Sequence, residues 1–159
     1  MPHHVNPESF GFLVTDLYRL IRGEMDRAIA QAGLGVTAGE ARTLSHAARA
    51  GSVRQNVLAE RMGVEAMTLS GYLDRLEARD LVRRANDPSD RRAKLVELTD
   101  KADAVLEAIG RVGTEMRRSA AGTLSEAEWD EMLEKLKVVR ANLAGLSQKP
   151  AAPRQGEPL

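Results

Sequence analysis

No cysteine occurs among the 159 residues. Disulfides, thiol redox sensing, cysteine-type zinc sites and a thiolate nucleophile are therefore excluded. Aromatic residues are scarce, limited to Phe10, Phe12, Tyr18, Tyr72 and Trp129. No apolar run approaches the roughly 20 residues of a membrane span. The opening MPHHVNPESF lacks the apolar centre of a signal peptide, so the expected compartment is the cytoplasm. Histidine is limited to His3, His4 and His46. The first two sit in a terminal stretch, and no specific metal role is expected of them, since a metal site needs three or four well-placed ligands. His46, beside small residues, reads as a surface or pocket-lining group. A Gly-rich phosphate loop is missing. The acidic cluster Glu126, Glu128, Asp130, Glu131 and Glu134 reads as a solvated face near a helix start, where carboxylates favour the dipole. No catalytic constellation remains, so neither an enzyme nor a cofactor is expected.

What is present is a chain of about one domain, long enough to bury on the order of 70% of its unfolded surface. Its net charge is zero, yet the charge is unevenly spread. Residues 1–48 sum to −1, residues 49–94 to +3 and residues 95–159 to −2. Residues 81–94 alone hold five basic and two acidic side chains. Such asymmetry is either an electrostatic footprint or ordinary surface charge.

The first helix is expected from Asn6-Pro7, an N-cap followed by proline at the first helical position. Leu13, Leu17, Leu20, Ile21, Ala28 and Ile29 form one face up to Gly33. Thr37 and Glu40 read as a capping box that opens a second helix, and Ser52 and Gln55 as another that opens a short third helix. Gly63 closes the third helix. A fourth helix from Glu65 or Ala66 to about Arg79 buries Leu69, Leu73 and Leu76. Its other face carries Thr68, Ser70, Gly71, Asp74 and Arg75, slim and hydrogen-bonding at the N-terminal end. Two helices across a tight glycine turn make a helix-turn-helix.

Residues 81–98 read as a β-hairpin around the turn formers of residues 86–90, with Arg91 and Arg92 just past the tip. Thr99 is expected to cap a fifth helix carrying Ala102, Val105, Ile109, Val112 and Met116. Thr123 or Ser125 would cap a sixth, whose apolar face is Trp129, Met132, Leu133, Leu136, Val139, Leu143 and Leu146. The proline-rich residues 147–159 are expected to be disordered.

This order of elements suits double-stranded DNA. The fourth helix would enter the major groove and set Thr68 and Ser70 at base edges. The hairpin would follow the phosphates and push an arginine into the minor groove, where a narrow A·T tract concentrates negative potential. Arg54 could reach phosphate beside helix N–H groups. The bland alternative for each arginine is a surface ion pair, such as Arg91 or Arg92 with Asp87 or Asp90. A competing class is a helical interaction module, in which the terminal helices act and the hairpin is inert.

Residues 81–99, LVRRANDPSDRRAKLVELT, resemble the wing signature of the MarR family of winged-helix transcription regulators. Asp90 and Arg92 match its Asp-x-Arg, and Leu98-Thr99 its ending. Leu58-Ala59, Gly63, Leu69, Leu73, Leu76-Glu77 and Leu81-Val82 match the family's helix-turn-helix framework. Residues 16–22 and 98–102 look most like the SlyA branch. The resemblance spans residues from about 10 to 146. It implies an α+β, mostly helical fold in which a winged helix-turn-helix is flanked by long dimerisation helices. The expected boundaries are a flexible N-terminus at 1–5 and a single domain at 6–146, followed by the tail. Within that domain the wing and helix-turn-helix occupy 37–99, and the dimerisation helices occupy 6–32 and 100–146. The resemblance also implies a homodimer on a pseudo-palindromic operator, and a regulator, expected to be a repressor, that releases DNA when a small phenolic or aromatic carboxylate binds. The residues assigned to DNA are Arg54, Thr68, Ser70, Arg75, Asp90, Arg91, Arg92 and Lys94. Arg19 and Arg22 match basic positions of the first helix that could face the effector, or else lie on a solvated face. Three positions depart from the family pattern. Gly71 stands where many relatives carry arginine, Asp80 replaces a common helix-ending glycine, and Ala41 replaces an aromatic.

Overall fold

The computed structural model describes residues 6–147. Residues 1–5 and 148–159, which hold His3, His4, the expected flexible N-terminus and nearly all of the expected tail, lie outside the described residues. The elements are α1 (Phe10–Ala32), α2 (Ala38–Ala50), β1 (Val53–Arg54), α3 (Gln55–Met62), α4 (Ala66–Ala78), β2 (Val82–Asp87), β3 (Asp90–Leu98), α5 (Ala102–Ala121) and α6 (Glu126–Ser147). The result is the mostly helical α+β architecture expected, with one antiparallel sheet in the order β1-β3-β2.

Local chemistry explains most boundaries. At the start of α2 both arms of the capping box form: the Glu40 N–H donates to Thr37 Oγ1 at 3.3 Å, and the Thr37 N–H to Glu40 Oε2 at 2.9 Å. Gly63 ends α3 in the left-handed conformation at φ 63°, and the Val64 N–H bonds back to the Ala59 carbonyl at 3.1 Å. Asp80 ends α4 the same way at φ 59°. Its N–H donates to the Glu77 carbonyl at 2.9 Å and the Leu81 N–H to the Leu76 carbonyl at 3.0 Å. Those two bonds make a Schellman motif with aspartate in the glycine position. The choice between Thr123 and Ser125 falls to Ser125, which forms a reciprocal capping box with Glu128.

Four expectations need correction. α1 starts at Phe10, not at Asn6, because the Asn6 side chain accepts the Glu8 N–H at 3.0 Å and closes a turn ahead of the helix. Ser52 and Gln55 form no capping box. Val53 and Arg54 instead pair with Val96 and Leu95 as β1, and the Ser52 hydroxyl donates to Glu97. Thr99 does not cap α5 with its side chain: the hydroxyl donates to the Asp80 carbonyl at 2.6 Å, and α5 begins at Ala102. Ser147, expected in the tail, is the last residue of α6.

The chain divides into two compact units, Met1–Arg117 and Arg118–Leu159. The first unit has one core, centred on Leu44, Leu58, Leu69, Leu73, Leu76, Val82 and Val96, all fully buried. Truncating any of these leucines to alanine would cost about 2–5 kcal/mol. Thr43, also fully buried, donates to the Gly39 carbonyl and so leaves no orphaned hydroxyl. The core fixes α3, α4 and the wing hairpin as one body. Along α1, by contrast, Phe10, Leu13, Leu17, Tyr18, Leu20 and Ile21 remain exposed, as do Leu133, Leu136, Leu143 and Leu146 of α6. No helix among the described residues is long and apolar enough to cross a membrane.

Candidate nucleic-acid interface

The turn at Gly63 aims α4 so that Leu69, Leu73 and Leu76 seal the core. The start of α4 is left to solvent. Thr68 is exposed, Ser70 half-buried, and Met67 stands 88% exposed. Met67 is not among the expected contacts. Its position off the Leu69, Leu73, Leu76 face is the signal that could have found it. An apolar side chain there suits a thymine methyl, as the hydroxyls of Thr68 and Ser70 suit base edges. Gly71 is not demanded by crowding, since a Cβ there would meet only the Arg75 guanidinium at 3.7 Å.

Arg75 is tied inward. Its Nε donates to Glu40 Oε1 at 2.5 Å, and its guanidinium lies 5.5 Å from the centre of the Tyr72 ring. Burial alone would raise the Glu40 carboxyl, but the Arg75 and Thr37 hydrogen bonds hold it below its ordinary value. Half of the Arg75 side chain still faces solvent, so it can present its outer edge while anchored on α2. Tyr72 fits because Gly39 lacks a side chain: a Cβ there would lie 2.4 Å from the ring.

The wing sorts its basic residues into two sets. Arg83 pairs with Glu97 at 2.7 Å, and Arg84 with Asp74 at 2.7 Å and Glu77 at 2.6 Å. These two hold the hairpin to itself and to α4. Arg91 and Arg92 are exposed. Among the described residues neither guanidinium is engaged by Asp87 or Asp90, the partners that the ion-pair alternative gave as examples. Asp87 is instead bound to Arg54 and Ser89. Asp90 accepts the backbone N–H of Arg92 at 3.0 Å, which orders the turn into β3. Lys94 Nζ donates to Asn86 Oδ1 at 2.6 Å across the hairpin.

Arg54, expected at a phosphate, spends its Nε on Asp87 at 2.6 Å and its Nη2 on Ser89 at 3.1 Å. It nonetheless lines a cleft of about 450 Å³ together with Gln55, Asn56, Arg92 and Lys94. That cleft lies between the wing and the first residues of α3 and α4, and three cations border it. Of the eight residues assigned to DNA, Arg54, Asp90, Arg92 and Lys94 are brought together here. Thr68, Ser70 and Arg75 lie along α4, and Arg91, exposed in β3, does not line the cleft.

A second cavity, of about 300 Å³, lies within the first unit among α1, α2, the end of α3 and α5. Ile21, Met25, Ile29, Met62 and Ile109 give it apolar walls, and Ala41 leaves room where an aromatic side chain would intrude. Arg22 lines it and donates to the Tyr18 hydroxyl at 3.2 Å. Arg19 does not line it. Its guanidinium turns to Asp16 at 3.4 Å, so the expected Arg19 and Arg22 pair is split. His46, one of whose two expected places was a pocket lining, completes the polar rim together with Arg42 and Arg61, which no local sequence pattern assigns to such a site, and Arg42 is bonded to Asp26. Burial, then the positive charges of Arg49, Arg42 and Arg61, hold the His46 imidazole below its ordinary value.

Residues 36–94 match the MarR family. Over 78 residues the chain is 35% identical to the HTH-type transcriptional repressor NicR of Pseudomonas putida, and this match spans 49% of each protein, about half the length of that relative. Among solved structures, the transcriptional regulator PA3341 is 36% identical with a TM-score of 0.69, over 86% of this chain and 99% of that one. BpsR of Bordetella bronchiseptica, whose DNA binding is regulated by 6-hydroxynicotinic acid, is 25% identical with a TM-score of 0.65, over 88% of this chain and 98% of that one.

Proposed function

The chain belongs to the MarR family of transcriptional regulators, and on that premise we propose that it binds a pseudo-palindromic operator in double-stranded DNA as a homodimer. The observation that carries this reading is the wing. Arg91 and Arg92 stand exposed and outside the ion pairs that hold the hairpin, next to a cation-lined cleft and the slim start of α4. Residues 6–146 act as one regulatory domain. The exposed apolar residues of α1 and α6 are too many for a solitary protomer to leave in water, and a second copy covers them. Within the family, residues 16–22 and 98–102 resemble the SlyA branch most. Its working compartment is the cytoplasm, where the operator is.

The cavity beside Arg22 supports a second level of control. A planar aromatic anion fits apolar walls rimmed by Arg22, Arg61 and His46, and BpsR responds to such an acid. If the anion binds the DNA-incompetent arrangement better, affinity for the operator falls and the regulator acts as a repressor. Equal binding to both arrangements would shift nothing.

The test begins with selection of an operator from fragments of the source genome, followed by titration at several salt concentrations. Binding to one sequence class with half-sites about 34 Å apart, and a steep salt dependence, is the expected result. A dimer that binds no sequence at low salt would favour the protein-interaction module instead. Titrating salicylate and 6-hydroxynicotinate against the operator complex at fixed ionic strength tests the effector. Release that survives Arg22→Ala unchanged removes the cavity from the account.

A further inference from the structure

Arg54 and Asp87 are 33 residues apart in sequence and meet at the tip of the wing. Arg54 is fixed at its backbone, paired with Leu95 in β1 and serving as N-cap of α3. Asp87 ends β2 where the hairpin register shifts, opposite Asp90. One Asp87 oxygen accepts the Ser89 N–H at 2.8 Å and the Ser89 hydroxyl at 2.7 Å, while the other accepts Arg54 Nε at 2.6 Å. Arg54 Nη2 then donates to the same Ser89 hydroxyl at 3.1 Å, closing a ring of three side chains. Asp87 is only 7% exposed although Asn86, Pro88 and Ser89 around it face solvent.

We propose that Asp87 is a positioning residue for operator binding: its clasp on Arg54 and Ser89 fixes the wing tip over the start of α3 and so sets where Arg91 and Arg92 enter the groove. The proposal rests on the DNA reading above. It gains force from its sign. An aspartate beside a phosphate-binding cleft repels DNA, and it also occupies Arg54, which would otherwise be available to a phosphate. Simple charge counting therefore says that removing the Asp87 charge tightens binding. The clasp says the reverse, because a wing that swings loses the fixed geometry of its arginines and must be ordered again on binding. The hydrogen bonds from Ser89, and then Arg54, hold the Asp87 carboxyl at about 2, so the clasp stays charged at any pH used to study the complex.

Anisotropy titrations of the selected operator with the full chain, at fixed salt, compare wild type, Asp87→Asn and Ser89→Ala. Weakening of at least about tenfold is expected for Asp87→Asn, the size of a lost groove contact. Ser89→Ala, which changes no charge, should weaken binding in the same direction but less. Hydroxyl-radical footprints should lose protection under the wing and keep it where α4 lies. If Asp87→Asn loses its thermal transition, Ser89→Ala alone decides between the two signs. Undiminished or tighter binding by the folded variants, with the wing footprint intact, overturns the inference and leaves the DNA reading standing. Failure of the wild-type chain to bind any selected operator overturns both.

Discussion

Replacing Arg92 with alanine isolates the wing's contribution to DNA affinity from its contribution to folding. Its guanidinium is exposed, and the hydrogen bond that ties the residue to the wing turn runs from its backbone N–H to Asp90 at 3.0 Å. The alanine backbone keeps that bond, so the stability of the fold should move by no more than about 0.5 kcal/mol. DNA affinity should move much more. A groove contact by arginine is worth about 1–3 kcal/mol. A dimer places two wings on the operator, so the expected loss is about 2–6 kcal/mol, or roughly 30-fold to 20,000-fold. Titrations at several salt concentrations separate two fates of the side chain. On a phosphate, each lost arginine lowers the slope of log K against log salt by about 0.9. In the groove, affinity falls mainly for the cognate sequence. Arg84→Ala is the control, since that guanidinium is held by Asp74 and Glu77; it should loosen the hairpin from α4 more than it weakens DNA contact. An Arg92→Ala protein that binds the operator like wild type at about 0.15 M salt would refute the wing assignment.

The sequence made the frame of this site readable where the chemistry is local. Thr37 and Glu40 are three residues apart, Gly63 follows its helix directly, and the hairpin announces itself by alternation around Asp87, Pro88 and Ser89. What escaped depends on partners far along the chain. Ser52 and Gln55 have the spacing of a capping box, but pairing of Val53 and Arg54 with β3 outcompetes it, and a two-residue strand has no pattern of its own. A count of basic residues from 81 to 94 cannot tell Arg84, neutralised by α4, from Arg92, left in solvent. Arg54 was readable as a cation near a helix start, yet the carboxylate it bonds within the chain, Asp87, is 33 residues away. Arg19 and Arg22 illustrate the limit of helical spacing. Three residues put them on adjoining faces, about 60° apart on a helix of 3.6 residues per turn, and that angle is enough to turn one to Asp16 and the other to the cavity.

Gly39→Ala should destabilise the first unit by about 1–3 kcal/mol, read as a lower urea midpoint, because its Cβ would lie 2.4 Å from the Tyr72 ring; an unchanged midpoint would show that the ring swings away freely. Asp80→Gly should raise stability by about 0.5–1 kcal/mol, or about 1–4 °C in Tm. A left-handed φ of 59° suits glycine better, and the Lys101 pair it forfeits is exposed on both sides and worth little. A fall in Tm would mean that the pair outweighs the strain. His46 supplies the pH dependence. Burial and the charges of Arg49, Arg42 and Arg61 lower its folded value, so the unfolded chain takes up the proton first as pH falls. Stability therefore declines as pH drops through about 6.5 and levels off only below the folded value. His46→Gln removes the proton-binding group and should flatten that part of the profile while leaving stability at pH 8 nearly unchanged. Parallel urea midpoints for wild type and variant from pH 8 to pH 5 would show that the imidazole is not held neutral by its surroundings.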